Sequence, residues 1–371
     1  MPRTINNARI DAALKVLQTA EMVEKMESGN VDTAVKLLVQ NATDEFGFAP
    51  RDVYNGVFNL PVTKANHTTG VKNLNYDQLK AIAEKFSQDH GLVSEFPHRV
   101  IVVSPYPSPE GNDDWTMDFK TPRIGKEVVQ SMRLAKDKHL REMYDHLHKL
   151  PETAIMAGWV FEAIVHRMFT HGWPKSRGPV PEPIPMGSKG SESDSPLFST
   201  ARSSSSGGPP PRPPTSLRAK ARDSTRVDFA ASELSDVTLV NNRYYTPAAI
   251  NSTLFDSFSI DHTPGELHAT ISILQITTSR TQGGSAEGYH LIRRIVARVH
   301  QLLEEAAAGR TRKPRAAKKP KVEVEVKVVY FLVCPQHEAQ RTWKMPVGWD
   351  KTGDHRGNVF CIPIPTPVKP S

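Results

Sequence analysis

Between Arg9 and Gln40 apolar residues recur every three or four positions, at Ile10, Ala13, Leu14 and Leu17 and then at Val31, Ala34, Val35 and Leu38. This spacing predicts helix. Leu79, Ile82, Ala83 and Phe86 repeat it, and the period returns from Ile124 to Leu150. Thr153–His171 predicts a further helix, with Ile155, Trp159, Glu162, Ala163 and His166 along one side. Among these helices the β-branched run Arg99–Ser104, ended by Pro105, reads as one buried strand. Later in the chain the period shortens to two. Val237–Tyr245, Leu254–Ile260 and Leu267–Thr278 read as strands separated by Pro and Gly. Glu287–Leu303 is helical, with Leu291, Ile292, Ile295, Val296, Val299 and Leu302 as its stripe and Ser285 as its N-cap. Val322–Cys334 alternates and then turns wholly apolar, as a strand does on entering a core.

The expected fold class is therefore α/β: a helical N-terminal segment followed by a mixed sheet flanked by helices. The expected organisation is a helical region at 1–150, a first helix of the sheet domain at 151–173, a Ser/Pro/Gly linker at 174–228, an αβ core at 229–350 and a Pro-rich tail at 351–371. Composition supports the two breaks. Apolar residues make up 38% of the 371, aromatics 7%, and the 30 prolines cluster at Pro174–Pro185, Pro209–Pro214 and Pro363–Pro370. The stretch SSSSGGPPPRPPTS has too little apolar surface to offset its ordering entropy and is expected to be disordered.

Charge narrows the chemistry. The net charge is +7, and Arg310–Lys321, RTRKPRAAKKPK, holds seven basic residues and no acid; the remainder carries 40 of each sign. Such a patch suits a phosphate backbone, an acidic partner or a nuclear-import receptor. With Arg293 and Arg294 on the preceding helix, the nucleic-acid contact residues are expected to be Arg310, Arg312, Lys313, Arg315, Lys318, Lys319 and Lys321. No apolar run is long enough to span a bilayer, and Met1–Lys15 lacks a signal-peptide core, so a nuclear or cytoplasmic protein with no membrane partner is expected. Cys334 and Cys361 lie in apolar surroundings, where buried thiols are expected. His139, His146, His148, His166 and His171 lack helical metal-ligand spacing. No G-x-x-x-x-G-K-[ST] loop occurs.

The order helix, three strands, helix, strand resembles the core of the restriction-endonuclease-like nucleases. AGWVFEAIVHRMF (157–169), YYTPAAINSTLFDSFSID (244–261), ISILQITTSRTQGGSAEGYHLIRRI (271–295) and VVYFLVCPQHEAQRTW (328–343) resemble the nuclease-domain motifs of Crinkler and retrotransposon-hot-spot proteins. That group often carries an upstream P-loop nucleotide hydrolase, which this chain lacks, so the resemblance implies a truncated or decayed member related to mobile elements or effectors. It also implies that Asp256 is the metal-binding Asp and Glu162 the helix Glu. Gln275 and Thr277 then stand where the family has Glu-x-Lys. A working site uses its carboxylates to hold magnesium or manganese and its Lys to steady the attacking oxygen. With one acid and the cation replaced, a weak or inactive phosphodiesterase that binds DNA or RNA is expected, with a metal ion held by Asp256 and Glu162 as cofactor if activity survives. The rival expectation is a non-catalytic interaction protein that uses the sheet as a scaffold and the basic loop for its partner.

Overall fold

Ala34, Leu38, Ala42 and Phe46 stand one helical turn apart, and their burial against Val57 and Leu60 makes the first core of the chain. The computed structural model describes residues 31–89, 98–107, 113–131, 137–173, 181–189, 196–200, 226–229, 234, 237–241, 243–247, 254–262, 267–310, 324–336, 341–348 and 359–365. The chain divides into two units, Met1–Ala163 and Ile164–Ser371, with the division inside one helix.

The first unit contains helices α1 (Val31–Phe46), α2 (Pro50–Phe58), α3 (Leu60–Asn73) and α4 (Tyr76–Asp89). Strands β1 (Ile101–Pro107) and β2 (Asp113–Phe119), then helices α5 (Pro122–Ser131) and α6 (Asp137–His148), follow. The reading of 9–30 as helix lies outside the described residues. The reading of one strand here is corrected to two, because β2 pairs antiparallel with β1, Ile101 opposite Phe119. Three acidic residues in DDWTMDF hide the alternation of Trp115, Met117 and Phe119, of which Met117 and Phe119 are buried.

Helix α7 (Ala154–His171) crosses the division. Beyond it lie β3 (Ile184–Pro185), β4 (Gly187–Lys189), β5 (Leu197–Ser199), β6 (Arg226–Phe229), β7 (Tyr244–Pro247), β8 (Ser257–His262), β9 (His268–Ile276) and β10 (Thr281–Gln282). Helix α8 (Glu287–Arg310), β11 (Glu325–Pro335), β12 (Thr342–Lys344) and β13 (Val359–Ile364) complete the order. The result is mixed α/β, with a seven-stranded sheet in the order β3-β13-β11-β9-β8-β7-β6 and a small four-stranded sheet in the order β10-β12-β5-β4. β7, β8 and β9 form an antiparallel meander, and α8 carries the chain across to β11, which runs parallel to β9. Ile271 and Ile273 of β9, with Val328, Tyr330 and Leu332 of β11, turn to one face and pack with Ile292, Ile295 and Val299 of α8 in a single core.

Three readings of the sequence shift. The stretch read as linker contributes β3, β4, β5 and β6, while its Ser/Pro/Gly centre lies outside the described residues. The stretch read as a Pro-rich tail contains β13, which pairs with β11 from Tyr330 opposite Val359 to Pro335 opposite Ile364. The strand read at Val237–Tyr245 begins only at Tyr244. Residues before it are held by the Tyr245 hydroxyl, which accepts from the Val240 N–H at 2.5 Å and donates to the Thr238 carbonyl at 3.1 Å. No helix among the described residues is long and apolar enough to cross a membrane.

Candidate functional site

The site is built where the β8–β9 hairpin meets the α8 crossover. Asp256 stands one residue before β8, and its backbone N–H donates to the Leu274 carbonyl at 2.9 Å, extending the ladder past the strand end. Gln275 shares the α8-facing side of β9 with Ile271 and Ile273, because side chains alternate with period two. A polar group there needs a partner. The partner is Asp256: its Oδ2 accepts from the Gln275 Nε2 at 2.9 Å and from the Ile276 backbone N–H at 2.6 Å. Gln275 is only 7% exposed. Gly288, in the first turn of α8, closes the arrangement from the other side. A Cβ on it would collide with the Leu254 Cβ, so the helix reaches the loop before Asp256 only without a side chain. Ser285 caps this helix, its Oγ accepting from the Glu287 N–H at 3.3 Å.

The other expected site residues are placed as follows. Thr277 follows β9 and turns its hydroxyl to the chain, accepting from the Ser279 N–H at 3.0 Å, while its own N–H donates to the Val333 carbonyl at 3.0 Å. Glu162 lies on α7 in the first unit and is partly buried. The pair formed within the second unit is thus Asp256 and Gln275. Arg293 is exposed on α8, Arg294 is half-buried beside it, and Arg310 ends the helix. Arg312, Lys313, Arg315, Lys318, Lys319 and Lys321 lie outside the described residues.

Asp256 Oδ2 and the Gln275 carboxamide, as placed, leave no free oxygen between them for a divalent cation. Magnesium and manganese take oxygen ligands, several of them anionic or water. Asp256 Oδ2 already accepts from two N–H donors, and the Gln275 carboxamide presents its nitrogen to that carboxylate, as it must to avoid opposing two oxygens. A cation at Oδ2 would have to displace both donors. No cluster of three His, Cys, Asp or Glu suited to a metal occurs among the described residues.

Two features escaped the sequence reading. His166 Nδ1, the Tyr244 hydroxyl and the Ser257 Oγ form a buried chain, 2.7 Å and 2.6 Å between neighbours, that joins the end of α7 to β7 and β8 beside Asp256. Each residue reads alone as a helix or strand position, and only the fold aligns them. The second feature is Arg341, 1% exposed, whose Nη1 donates to the Thr278 carbonyl at 2.9 Å and whose backbone N–H donates to Thr200 Oγ1 at 3.0 Å. A permanent cation is therefore buried at the end of β9, one residue beyond Thr277. Its setting, QHEAQRTW, reads as an ordinary polar loop.

Cys334 and Cys361 are free, buried and 3.3 Å apart at sulfur. Its hydrogen bond with Cys334, then burial, raise the Cys361 thiol far above its ordinary value, so Cys361 stays protonated. No known family model, curated protein or solved structure matches this chain.

Proposed function

We propose that the second unit is a nucleic-acid-binding module descended from a metal-dependent nuclease of the Crinkler and retrotransposon-hot-spot type, and that it cleaves phosphodiesters weakly or not at all. The observation that carries this reading is the Asp256–Gln275 hydrogen bond. It closes, with a neutral donor, the strand-end position where a nuclease of this kind needs a second carboxylate and an ion.

The element order around it supports the ancestry: α7, the β7-β8-β9 meander, the α8 crossover and β11 parallel to β9. Binding is assigned to phosphate backbone. Exposed Arg293 lies on α8, which ends at Arg310, where the basic run Arg310–Lys321 begins. Contacts of this type are sequence-independent and weaken with salt. The same run is the proposed signal for a nuclear-import receptor, and a nuclear location is part of this proposal.

The test is a paired assay on the full chain. DNA and RNA retention is measured across salt concentrations, and cleavage is measured with magnesium and with manganese. Salt-sensitive binding without cleavage is expected. Rapid metal-dependent cleavage, abolished by Asp256→Ala, would overturn the inactive assignment; absence of binding at low salt would overturn the nucleic-acid assignment.

A further inference from the structure

In the first unit a cavity of about 1160 Å³ opens between α2, α3, α4 and β1. Its volume lies just above the usual range of small-molecule sites, about 300–1,000 Å³. Four cationic side chains, Arg51, Lys85, Arg99 and Lys120, line it against a single carboxylate, Asp52. Three of them, Arg51, Lys85 and Arg99, are exposed at the rim. The fourth is not: the Lys120 side chain is 7% exposed, pairs with Asp52 and donates to the His98 carbonyl at 3.1 Å. A buried ammonium anchored on one carboxylate and one carbonyl leaves the cavity with a surplus of positive charge that an anion would relieve.

The floor adds an independent sign. His67, on α3, is 6% exposed, and its Nδ1 has no hydrogen-bond partner among the described residues. Burial lowers its pKa; Asp52 opposes this, Lys120 and the Arg99 guanidinium add to it, and the Arg99 carbonyl, as a hydrogen-bond partner, opposes it again. With its ionisation disfavoured and its N–H given to the Arg99 carbonyl, the ring leaves Nδ1 as an acceptor, in a place where an unmade hydrogen bond is costly. A phosphate held among Arg51, Lys85 and Arg99 is fully ionised and only accepts, so the group that meets Nδ1 belongs to another part of the ligand. The walls suit such a part. Asn55, Asn66, Asn73 and Gln78 present carboxamides that both donate and accept.

We propose that this cavity binds a small organic phosphate, with Arg51, Lys85 and Arg99 taking the phosphate and His67 Nδ1 accepting from an N–H or O–H donor on the organic portion. The site lies wholly within the first unit and does not depend on the reading of the second. A duplex is too broad for a concavity floored by Thr63 and His67, both buried. A single strand is the competing occupant, and the test separates the two.

Pyrophosphate, adenosine monophosphate, adenosine and a ten-nucleotide oligothymidine are titrated calorimetrically into the full chain. Pyrophosphate and adenosine monophosphate are expected to bind one per chain, and adenosine is not. Lys85→Gln with Arg99→Gln, both on exposed side chains, is expected to weaken the two phosphates about tenfold or more, as loss of charge-assisted hydrogen bonds does. His67→Phe is expected to weaken adenosine monophosphate and spare pyrophosphate, whose retained affinity reports an intact site. The proposal is overturned if neither phosphate binds at millimolar concentration, if the double variant binds as the parent does, or if His67→Phe leaves adenosine monophosphate unaffected or weakens both phosphates equally. Tighter binding of the oligothymidine through Lys85 and Arg99 would overturn it in favour of a strand site.

Discussion

Replacing Gln275 by glutamate sets a second carboxylate against Asp256 Oδ2, at the position from which the carboxamide now donates across 2.9 Å. Two charges about 3 Å apart at an effective dielectric of about 20 repel by roughly 5 kcal/mol. The chain has a cheaper option, which is to keep one proton on the pair. Holding a glutamate with an ordinary pKa of about 4.3 protonated at pH 7 costs about 3.7 kcal/mol, and at pH 5 about 1 kcal/mol. Those figures are ceilings on the electrostatic penalty. The sign follows from linkage: the folded pKa of the introduced group is raised, so stability is intact below about pH 4.3 and is lost as pH rises toward the folded pKa. Urea denaturation of Gln275→Glu should therefore show a loss of about 3 kcal/mol at pH 7 that shrinks to about 1 at pH 5. If the added carboxylate rebuilds an ion site, manganese at about a hundred times its dissociation constant should return about 2.7 kcal/mol to the variant and nothing to the parent. Combining Gln275→Glu with Thr277→Lys should then bring out cleavage that Asp256→Ala abolishes. A loss equal at pH 5 and pH 7 would refute the Asp256–Gln275 contact itself. The expected pH dependence without any manganese effect would preserve the contact and refute the nuclease ancestry.

Asp118 gives the opposite experiment in the first unit. Burial raises its pKa to about 6, against the lowering effect of hydrogen bonds from the Phe119 N–H at 2.6 Å and Trp159 Nε1 at 3.3 Å. Its folded form is lost to stability as pH climbs from about 4 to 6, so Asp118→Asn should gain up to about 3 kcal/mol at pH 7.5 and almost nothing at pH 4; an equal effect at both would sink this account. Tyr244→Phe removes the oxygen that bridges His166 and Ser257 and should cost about 2 kcal/mol in chemical denaturation, a neutral result showing that the buried chain is dispensable. Neutralising the seven basic residues of Arg310–Lys321 should reduce the slope of log affinity against log salt for duplex DNA by up to about 6 and abolish nuclear accumulation. An unchanged slope would remove the run from the interface.

What the sequence disclosed depended on how far each element's signal extended along the chain. β9 and β11 have long apolar runs and α8 has a sustained stripe, so their existence and order were legible within a few residues. β4 and β5 are three residues each, too short to establish any period, and were absorbed into the surrounding Ser, Pro and Gly. β13 was masked by Pro363 and Pro365. Pro363 is tolerated because β3 pairs β13 only at Phe360 and Cys361, leaving that flank of the strand unpaired where the missing N–H falls. The Asp256 and Gln275 positions came from resemblance, but their hydrogen bond did not, since it needs the hairpin register that places Ser257 opposite Leu274. The His67 cavity had no sequence signal at all. Its lining comes from separate helices and a strand, and none of those residues stands in a motif.

The position of β13 has a consequence for how the protein is made. The segment 359–364 is buried between β11 and β3, although β3 leaves the ribosome some 170 residues earlier. During synthesis β3 has no partner in the large sheet, and β11 presents an open edge rich in Val, Phe and Leu until the final strand arrives. The second unit therefore cannot close vectorially from its N-terminal end. Its completion awaits emergence of β13, which makes nascent chains that stop short of residue 359 the species most exposed to aggregation.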